Sequence, residues 1–358
     1  MRIAFDVSPL SHPPLGIGNY IRGSLGGLVE AAAGEHEIVA FAPTSFKGPA
    51  RIQAALAGID VELRTWRLPL SHALRTGWSS LGHPSAERLL GSFDVLHFSD
   101  WMFPPQRAGV RVTTIHDLVP LHHPEWTTPR TRSMHARKYR NAARTCDLVF
   151  VNSRYTGEDV IATLGVAAER VHVAPPAARQ EFRPDGSAAD LGAPYILTVA
   201  TLEPRKNLQT LVEAHRLLGG DLVLAVAGGE GWGDQPELDS SLIRRLGFVS
   251  DDELARLYRG ASAAVYPSRF EGFGIPVLEA MACGCPAVVS SHPSLDEASG
   301  DAAVRADPDD PAALASAIDR VLGERAHFAA AGLAHAASFT WRRTGETVLR
   351  GYEEAARR

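Results

Sequence analysis

Short apolar runs rich in β-branched residues alternate with longer helical stretches along the whole chain. This alternation is typical of β–α–β units, in which crossover helices join parallel strands. Ser153 follows one such run and is a suitable N-cap for the helix after it. In the first half, the predicted strands are residues 3–7, 37–41, 95–98, 110–115 and 148–151, and the predicted helices include residues 19–32, 130–144 and 153–164.

The alternation is interrupted once and then restarts. A double proline, Pro175-Pro176, leads into a stretch around Pro184 that has no apolar periodicity. A chain of 358 residues also exceeds what one hydrophobic core usually serves. We therefore predict an α/β protein of two Rossmann-like domains, with ligands at the carboxyl ends of the strands. Beyond the interruption, the predicted strands are residues 195–200, 222–227, 245–249, 263–266 and 287–290, and the predicted helices are residues 208–218, 251–260, 311–322, 326–337 and 343–356, with one more after Gly274.

Composition and charge exclude several classes of protein. The chain is 45% hydrophobic and 22% charged, which is ordinary for a globular protein. We expect no membrane span, because no run of about 18 apolar residues is present. Three cysteines make neither a disulfide framework nor a zinc spacing. The first 180 residues hold 19 Lys and Arg against 15 Asp and Glu, too small an excess to indicate nucleic-acid binding. The N-terminus is typical of a first strand and not of a signal peptide, so we expect a cytoplasmic protein.

Much of the basic charge lies in residues 130–144, a stretch of helical composition. Two interpretations stay open. The stretch is either a solvated helix or a face for an anionic acceptor or a membrane surface.

The segment from Arg269 to Ala282 carries two carboxylates, Glu271 and Glu279, with seven residues between them. Glu271 lies in a glycine-rich turn, and Glu279 lies about one turn into the helix that follows. The Gly272-Phe273-Gly274 turn lets backbone N–H groups approach a ligand, and the helix N-terminus favours an anion nearby. The segment predicts a site that offers backbone donors to a sugar or phosphate and carboxylates to sugar hydroxyls.

Two adjacent cations, Arg205 and Lys206, follow the predicted strand 195–200 and precede a helix. Arginine grips a diphosphate with two parallel hydrogen bonds, and lysine serves as a point charge. We therefore predict that this segment binds the phosphates of a nucleotide.

Weaker signals lie at other strand ends. Gly16 and Gly18 are predicted to keep the backbone bare in the first strand-to-helix loop, although two glycines alone are a weak fingerprint. His116 directly follows the predicted strand 110–115 and is placed either to hydrogen-bond a sugar hydroxyl or to serve as a structural histidine. Phe248 and Val249 close the predicted strand 245–249.

Together the Glu-x7-Glu segment and the Glu-Pro-Arg-Lys-Asn segment at residues 203–207 resemble the signatures of retaining glycosyltransferases of family 4. The resemblance implies the GT-B fold, with two Rossmann-like domains facing across a cleft. It implies an N-terminal acceptor-side domain of residues 1–178, a nucleotide-sugar domain of residues 179–337, and a final helix in residues 338–358 that crosses back to the first domain.

The resemblance also implies roles for the site residues. Glu271 would hold the hydroxyls of the transferred sugar and Glu279 those of the ribose. Arg205 and Lys206 would bind the donor diphosphate. The remaining binding residues would be Gly16 and Gly18 at the diphosphate, the backbone of residues 272–274, the base-reading Phe248 and Val249, and the acceptor-side His116.

The activity that the resemblance implies is transfer of a hexose from a nucleotide sugar to a glycan or glycolipid acceptor. The segments resemble bacterial mannosyltransferases that use GDP-mannose. A UDP-glucose user, a non-hydrolysing UDP-sugar epimerase and a silent sugar-nucleotide-binding protein remain as alternatives. We expect no structurally required metal, because no Asp-x-Asp motif lies at the positions expected to line the cleft, and we expect at most a peripheral membrane contact.

Overall fold

The computed structural model describes residues 1–12, 16–99, 101–231, 238 and 240–358. Within them the chain divides into two compact units, Met1–Pro176 with Thr340–Arg358, and Ala177–Phe339. The predicted limits at residues 178 and 337 each lie two residues from these boundaries. The double proline therefore ends the long segment of the first unit.

The first unit is built on a parallel sheet with the strand order β3-β2-β1-β4-β5-β6-β7 in the described residues. Its inner strands, such as β4 and β6, are buried at every position, as expected for a sheet covered on both faces. The strands are β1 (Arg2–Asp6), β2 (Glu37–Thr44), β3 (Glu62–Arg67), β4 (Val95–Phe98), β5 (Val110–Ile115), β6 (Leu148–Val151) and β7 (Val171–Val173); the helices are α1 (Gly16–Ala32), α2 (Gly48–Ala55), α3 (Ser71–Leu81), α4 (Ala86–Leu90), α5 (Val119–His122), α6 (Pro129–Thr145) and α7 (Arg154–Leu164).

The second unit repeats the architecture, with a parallel sheet in the order β10-β9-β8-β11-β12-β13 in the described part of the chain. Both orders match the doubly wound Rossmann arrangement, so the predicted α/β class with two Rossmann-like domains is confirmed. The strands are β8 (Tyr195–Val199), β9 (Val223–Ala227), β10 (Ile243–Gly247), β11 (Ala263–Tyr266), β12 (Ala287–Ser290) and β13 (Ala303–Ala306); the helices are α8 (Leu208–Leu218), α9 (Asp251–Gly260), α10 (Ile275–Ala282), α11 (Asp296–Ser299), α12 (Pro311–Gly323) and α13 (Arg325–Ala336).

The strand order of each sheet reverses beside its first strand. In the second unit the reversal lies between β8 and β11, which pair with each other. In open α/β sheets, ligands bind outside the carboxyl ends of the strands at such a reversal. The loops that leave β8 and β11 carry Arg205 and Glu271, so the sheet brings together two residues that are 66 positions apart in the chain.

The final helix α14 (Trp341–Ala356) belongs to the first unit and packs along α1. Glycines make this close approach possible. A Cβ at Gly27 would lie 1.8 Å from the carbonyl oxygen of Trp341, and one at Gly345 would lie 2.0 Å from the backbone of Gly27. The two helix backbones therefore touch where Gly27 and Gly345 meet.

Some elements differ from the sequence prediction. The edge strand β3 was missed because its residues alternate with charges and only one neighbour pairs with it. The strand predicted at 245–249 is Ile243–Gly247, which ends where Gly247 adopts a φ of +67°. None of the helices in the described part of the chain is long and apolar enough to cross a membrane.

Replacing Gly345 with alanine is expected to destabilise the protein by about 1–3 kcal/mol, because the added methyl group overpacks the contact between α1 and α14. Urea unfolding measures the loss. The control is Gly77→Ala in the middle of α3, where the added Cβ would meet no described atom within 4 Å beyond the adjacent residues and the helix's own backbone. That change is expected to be neutral or to stabilise by up to about 1 kcal/mol. Equal unfolding midpoints for both variants would contradict the proposed close contact.

Candidate active site

Arg205 and Lys206 lie in a single 3₁₀ turn, Pro204–Lys206, between β8 and α8. The turn ends at Asn207, which adopts a left-handed φ of 58°, a conformation that asparagine tolerates better than most residues. The Asn207 amide donates to the carbonyl oxygen of Pro267 at 3.2 Å, and its oxygen accepts from the Thr210 hydroxyl at 2.8 Å. Asn207 therefore joins the loop after β8 to the loop after β11.

Glu271 is the anion that both cations hold. Its Oε2 accepts from Arg205 Nη1 at 2.8 Å, and its Oε1 accepts from Lys206 Nζ at 2.6 Å. Glu203 adds a second carboxylate, which accepts from Arg205 Nε at 3.0 Å. Two cations and two carboxylates thus form a cluster of balanced formal charge at the strand reversal.

The cluster sets the protonation of its members. Burial alone would raise the pKa of Glu271, but the charges of Arg205 and Lys206 outweigh burial and lower that pKa from 4.5 to about 2. The pKa of Lys206 is lowered by burial and by the neighbouring Arg205, and the Glu271 carboxylate opposes both effects. Glu271 is therefore ionised throughout the neutral range.

Tyr266 and Ser294 also contact Glu271, and sequence reasoning assigned neither of them. The Tyr266 hydroxyl accepts from Lys206 Nζ at 2.6 Å and donates to Glu271 Oε1 at 3.1 Å. The Ser294 hydroxyl accepts from the backbone N–H of Glu271 at 3.0 Å. Tyr266 ends strand β11, so its position at a strand end beside the reversal was the available signal.

The glycine-rich turn after Glu271 shapes the start of α10. Gly274 precedes the helix with a φ of +104°, and a Cβ there would lie 2.6 Å from Leu295, so only glycine fits. The helix begins at Ile275, and Pro276 is its second residue, where proline fits because its missing N–H has no intrahelical acceptor. The Phe273 side chain packs in the core, so only its backbone is available for the predicted ligand contact.

Glu279 lies in α10, is buried, and is held by a residue that the sequence did not single out. Arg179 Nη2 donates to Glu279 Oε1 at 3.2 Å, and the Arg179 Nη1 also pairs with Asp251. Burial raises the pKa of Glu279 to about 6, and Arg179 offsets only part of that effect. Arg179 follows the double proline and belongs to no motif, so the sequence did not single it out. The only indication that Glu279 has a partner was its predicted position inside a helix.

The base-reading candidates follow strand β10. Phe248 is 63% exposed and Val249 is half-buried, just before helix α9. A large exposed aromatic ring at the carboxyl end of a strand is compatible with stacking on a base.

In the first unit, His116 directly follows strand β5 at the carboxyl edge of the sheet. Its Nδ1 lies 3.2 Å from Asn152 Oδ1, and its ring meets the Tyr20 ring edge-on at a centroid distance of 5.1 Å. Asn152 follows β6, so neighbouring strand ends hold the imidazole. The adjacent Asp117 accepts from the backbone N–H of Val119, the first residue of the short helix α5.

The prediction that Gly16 and Gly18 lie in a loop is wrong, because helix α1 begins at Gly16 and includes both residues. Gly18 is buried, and a Cβ there would lie 3.7 Å from Leu10. The first turn of a helix still presents N–H groups without intrahelical acceptors, so the helix start keeps the backbone donors that a bare loop was expected to supply.

Comparison with known proteins identifies both units. The family model for "Glycosyltransferase Family 4" matches residues 16–181, and the model for "Glycosyl transferases group 1" matches residues 179–332. A D-inositol 3-phosphate glycosyltransferase from Acidothermus cellulolyticus is 30% identical over 75% of this chain and 69% of its own length. The chain belongs to glycosyltransferase family 4. The Glu-x7-Glu and Glu-Pro-Arg-Lys-Asn segments therefore lie in the half that matches the second family model.

Two further similarities refine this assignment. The O-antigen chain mannosyltransferase B of Escherichia coli is 29% identical over 99% of this chain and all of its own length. The structure of Anabaena Alr3699/HepE in complex with UDP and glucose covers 99% of this chain and 100% of its own, with a TM-score of 0.70 at 16% identity. The protein is thus a glycosyltransferase whose structural neighbours have the GT-B fold.

The ion pairs of Glu271 predict that the stability lost on replacing this residue depends on pH. Its pKa is about 2 in the fold against 4.5 ordinarily, so its ionised form contributes on the order of 3 kcal/mol of stability above pH 4.5, which is lost as pH falls towards 2. Glu271→Gln is therefore expected to be strongly destabilised at pH 7 and much less so at pH 3, as measured by urea unfolding.

The matched control is Glu203→Gln, which removes the other carboxylate from Arg205. The Glu203 side chain is 23% exposed and its pair with Arg205 is partly solvated, so the expected loss is within about 1 kcal/mol. A Glu271→Gln variant destabilised to the same extent at both pH values would show that the ion pairs do not stabilise the fold.

Proposed function

We propose that this glycosyltransferase transfers mannose from GDP-mannose to a hydroxyl group of a glycan or glycolipid, with retention of the anomeric configuration. The full-length similarity to a protein named as an O-antigen chain mannosyltransferase supports the choice of sugar. We also propose a cytoplasmic enzyme with a peripheral contact to the membrane.

The Arg205–Lys206–Glu271 cluster carries the proposal. It lies at the strand reversal, where open α/β sheets bind ligands, and it holds two cations side by side. A donor diphosphate brings more negative charge than one carboxylate does. Arg205 and Lys206 would therefore turn towards the phosphates when the donor binds, which would release Glu271 to accept hydrogen bonds from the sugar hydroxyls.

In the proposed step, the bond between the anomeric carbon and the diphosphate oxygen breaks while the acceptor oxygen bonds to the same carbon. The acceptor proton passes to the departing diphosphate oxygen on the same face of the sugar. The main catalytic requirement is stabilisation of the charge that grows on the leaving group, and Arg205 and Lys206 meet it. Glu279 would hold the ribose hydroxyls from α10, with Arg179 keeping its carboxylate in place.

A UDP-glucose donor is the alternative, since the structural neighbour Alr3699/HepE was determined with UDP and glucose. Incubation with GDP-mannose and with UDP-glucose separates the two, because release of GDP or UDP reports turnover directly. NMR of the first-formed sugar product reports the anomeric configuration. We expect GDP release from GDP-mannose that persists in excess EDTA. Turnover of UDP-glucose but not of GDP-mannose would show that the proposed donor is wrong.

Arg205→Ala and Lys206→Ala are each expected to weaken GDP binding by about 1–3 kcal/mol, the range for losing a hydrogen bond to a charged group. Isothermal titration calorimetry measures the affinity. The control is Arg269→Ala, which removes a nearby arginine that pairs with Asp309 at 2.8 Å. Unchanged GDP affinity in both the Arg205→Ala and Lys206→Ala variants would show that the diphosphate binds elsewhere.

His116→Ala is expected to lose most donor turnover while its melting temperature stays within about 4 °C of the unmodified protein. The expectation rests on the position of His116 at a strand end beside Asn152. The control is His122→Ala on helix α5, where the imidazole is exposed and pairs with Asp159. A fully active His116→Ala protein would assign His116 a structural role only.

A further inference from the structure

A row of exposed apolar side chains lies on the outer face of helix α3 and at the residue that precedes it. Leu70 is 83% exposed, Leu74 47% and Leu81 75%. Leu74 and Leu81 are seven residues apart and lie along one face of the helix, and Leu70 is the N-cap residue just before its first turn. Ala73 and Gly77 continue the same face, and together these five residues are called the leucine stripe below.

The inner face of α3 is fixed, so the helix cannot rotate to bury the leucine stripe. Arg75 donates to the Ser8 hydroxyl at 2.9 Å and lies over the Trp101 ring at 4.7 Å. Trp78 is buried, and its indole N–H donates to the carbonyl oxygen of Pro84. Because these contacts hold the Arg75 and Trp78 side of helix α3 against the protein, the leucine side chains remain exposed.

A row of arginines on α6 lies beside this helix. Arg137 donates to the hydroxyl of Ser80, the residue before Leu81, at 3.3 Å. Arg130 and Arg144 lie seven residues to either side of Arg137, on the same helix face, and both are exposed. Arg140 is also exposed. The opposite face of α6 is buried, since Lys138 donates to the carbonyl oxygens of two strand ends.

We propose that the leucine stripe of α3 and the arginines of α6 form a docking surface for an anionic lipid bilayer. Leucines on the outer face of a helix enter the boundary between headgroups and acyl chains, and adjacent arginines attract anionic headgroups. The chain carries a net charge of −5, so this attraction is local to α6 and not a property of the whole protein. A second copy of the chain fits less well, because a symmetric contact would set the arginine row against itself.

This surface is independent of which donor the enzyme uses. It assigns membrane contact to the exposed face of the basic residues 130–144, while Lys138 holds the buried face of the same helix against the sheet. Helix α3 was not among the sequence predictions, so the leucine stripe is visible only in the folded protein.

The test is flotation of the full-length protein with phosphatidylcholine vesicles, with and without phosphatidylglycerol. We expect binding only to the anionic vesicles. Leu70→Ser/Leu74→Ser/Leu81→Ser is expected to weaken binding by on the order of tenfold or more, because the apolar area that enters the bilayer is lost. Leu217→Ser is the control, since Leu217 is 62% exposed on α8 and should have no effect.

The charge contribution is tested with Arg130→Gln/Arg140→Gln/Arg144→Gln, for which we expect roughly a fivefold loss per arginine. Its control is Arg350→Gln/Arg357→Gln/Arg358→Gln at the chain end, which makes the same change in net charge. GDP affinity and melting temperature are measured on every variant to show that it is folded. If the triple leucine variant does not fold, the single variant Leu70→Ser is tested in its place.

Failure of the unmodified protein to float with anionic vesicles would overturn the proposal. So would equal binding by the stripe variants and their controls, which would place the contact elsewhere on the surface or assign the stripe to a protein partner. Neither result would affect the proposed donor, because GDP-mannose turnover in solution is measured without vesicles.

Discussion

The second unit is organised around one buried carboxylate. Glu271 stays charged inside the protein only because Arg205 and Lys206 both reach it, and those cations are available only because β8 pairs with β11. A buried charge without a partner costs several kcal/mol, so strand pairing, loop conformation and ion pairs require each other. Asn207, with its left-handed backbone and its bond to the Pro267 carbonyl, closes the connection between the two loops.

The two glutamates of the motif show how environment separates chemically identical groups. The charges of Arg205 and Lys206 outweigh burial and lower the pKa of Glu271, whereas burial raises the pKa of Glu279 and Arg179 offsets only part of that rise. With a pKa of about 2, Glu271 stays ionised near neutrality while Arg205 and Lys206 hold it, so these ion pairs do not titrate there. A group with a pKa of about 6 gains or loses a proton near neutrality, so the contacts of Glu279 are coupled to pH in that range.

The sequence predicted most of the fold because its signals are local. Helices 208–218 and 251–260 and strands 110–115, 148–151 and 263–266 match the structure residue for residue, and Ser153 caps α7 as expected, since its hydroxyl accepts from the N–H of Thr156. The charged edge strand β3 and the short edge strand β13 have no continuous apolar run, and the sequence could not show them. The pairing of Arg179 with Glu279 joins residues a hundred positions apart, and only the folded chain reveals it.

In the first unit, helices α6 and α14 both support the strand end that carries His116. Lys138 of α6 donates to the carbonyl oxygens of Ser99 and Thr114 at 2.9 and 2.6 Å, which fixes the ends of β4 and β5. His97 connects the Thr114 hydroxyl to Tyr352 of α14, and burial together with the charge of Lys138 lowers the pKa of His97 to about 3.

A histidine with so low a pKa is neutral at physiological pH and acts as a fixed donor and acceptor. The link that His97 makes between Thr114 and Tyr352 therefore does not titrate near neutral pH. These two hydrogen bonds beside the end of β5 are consequently kept across the pH range in which Glu279 changes charge.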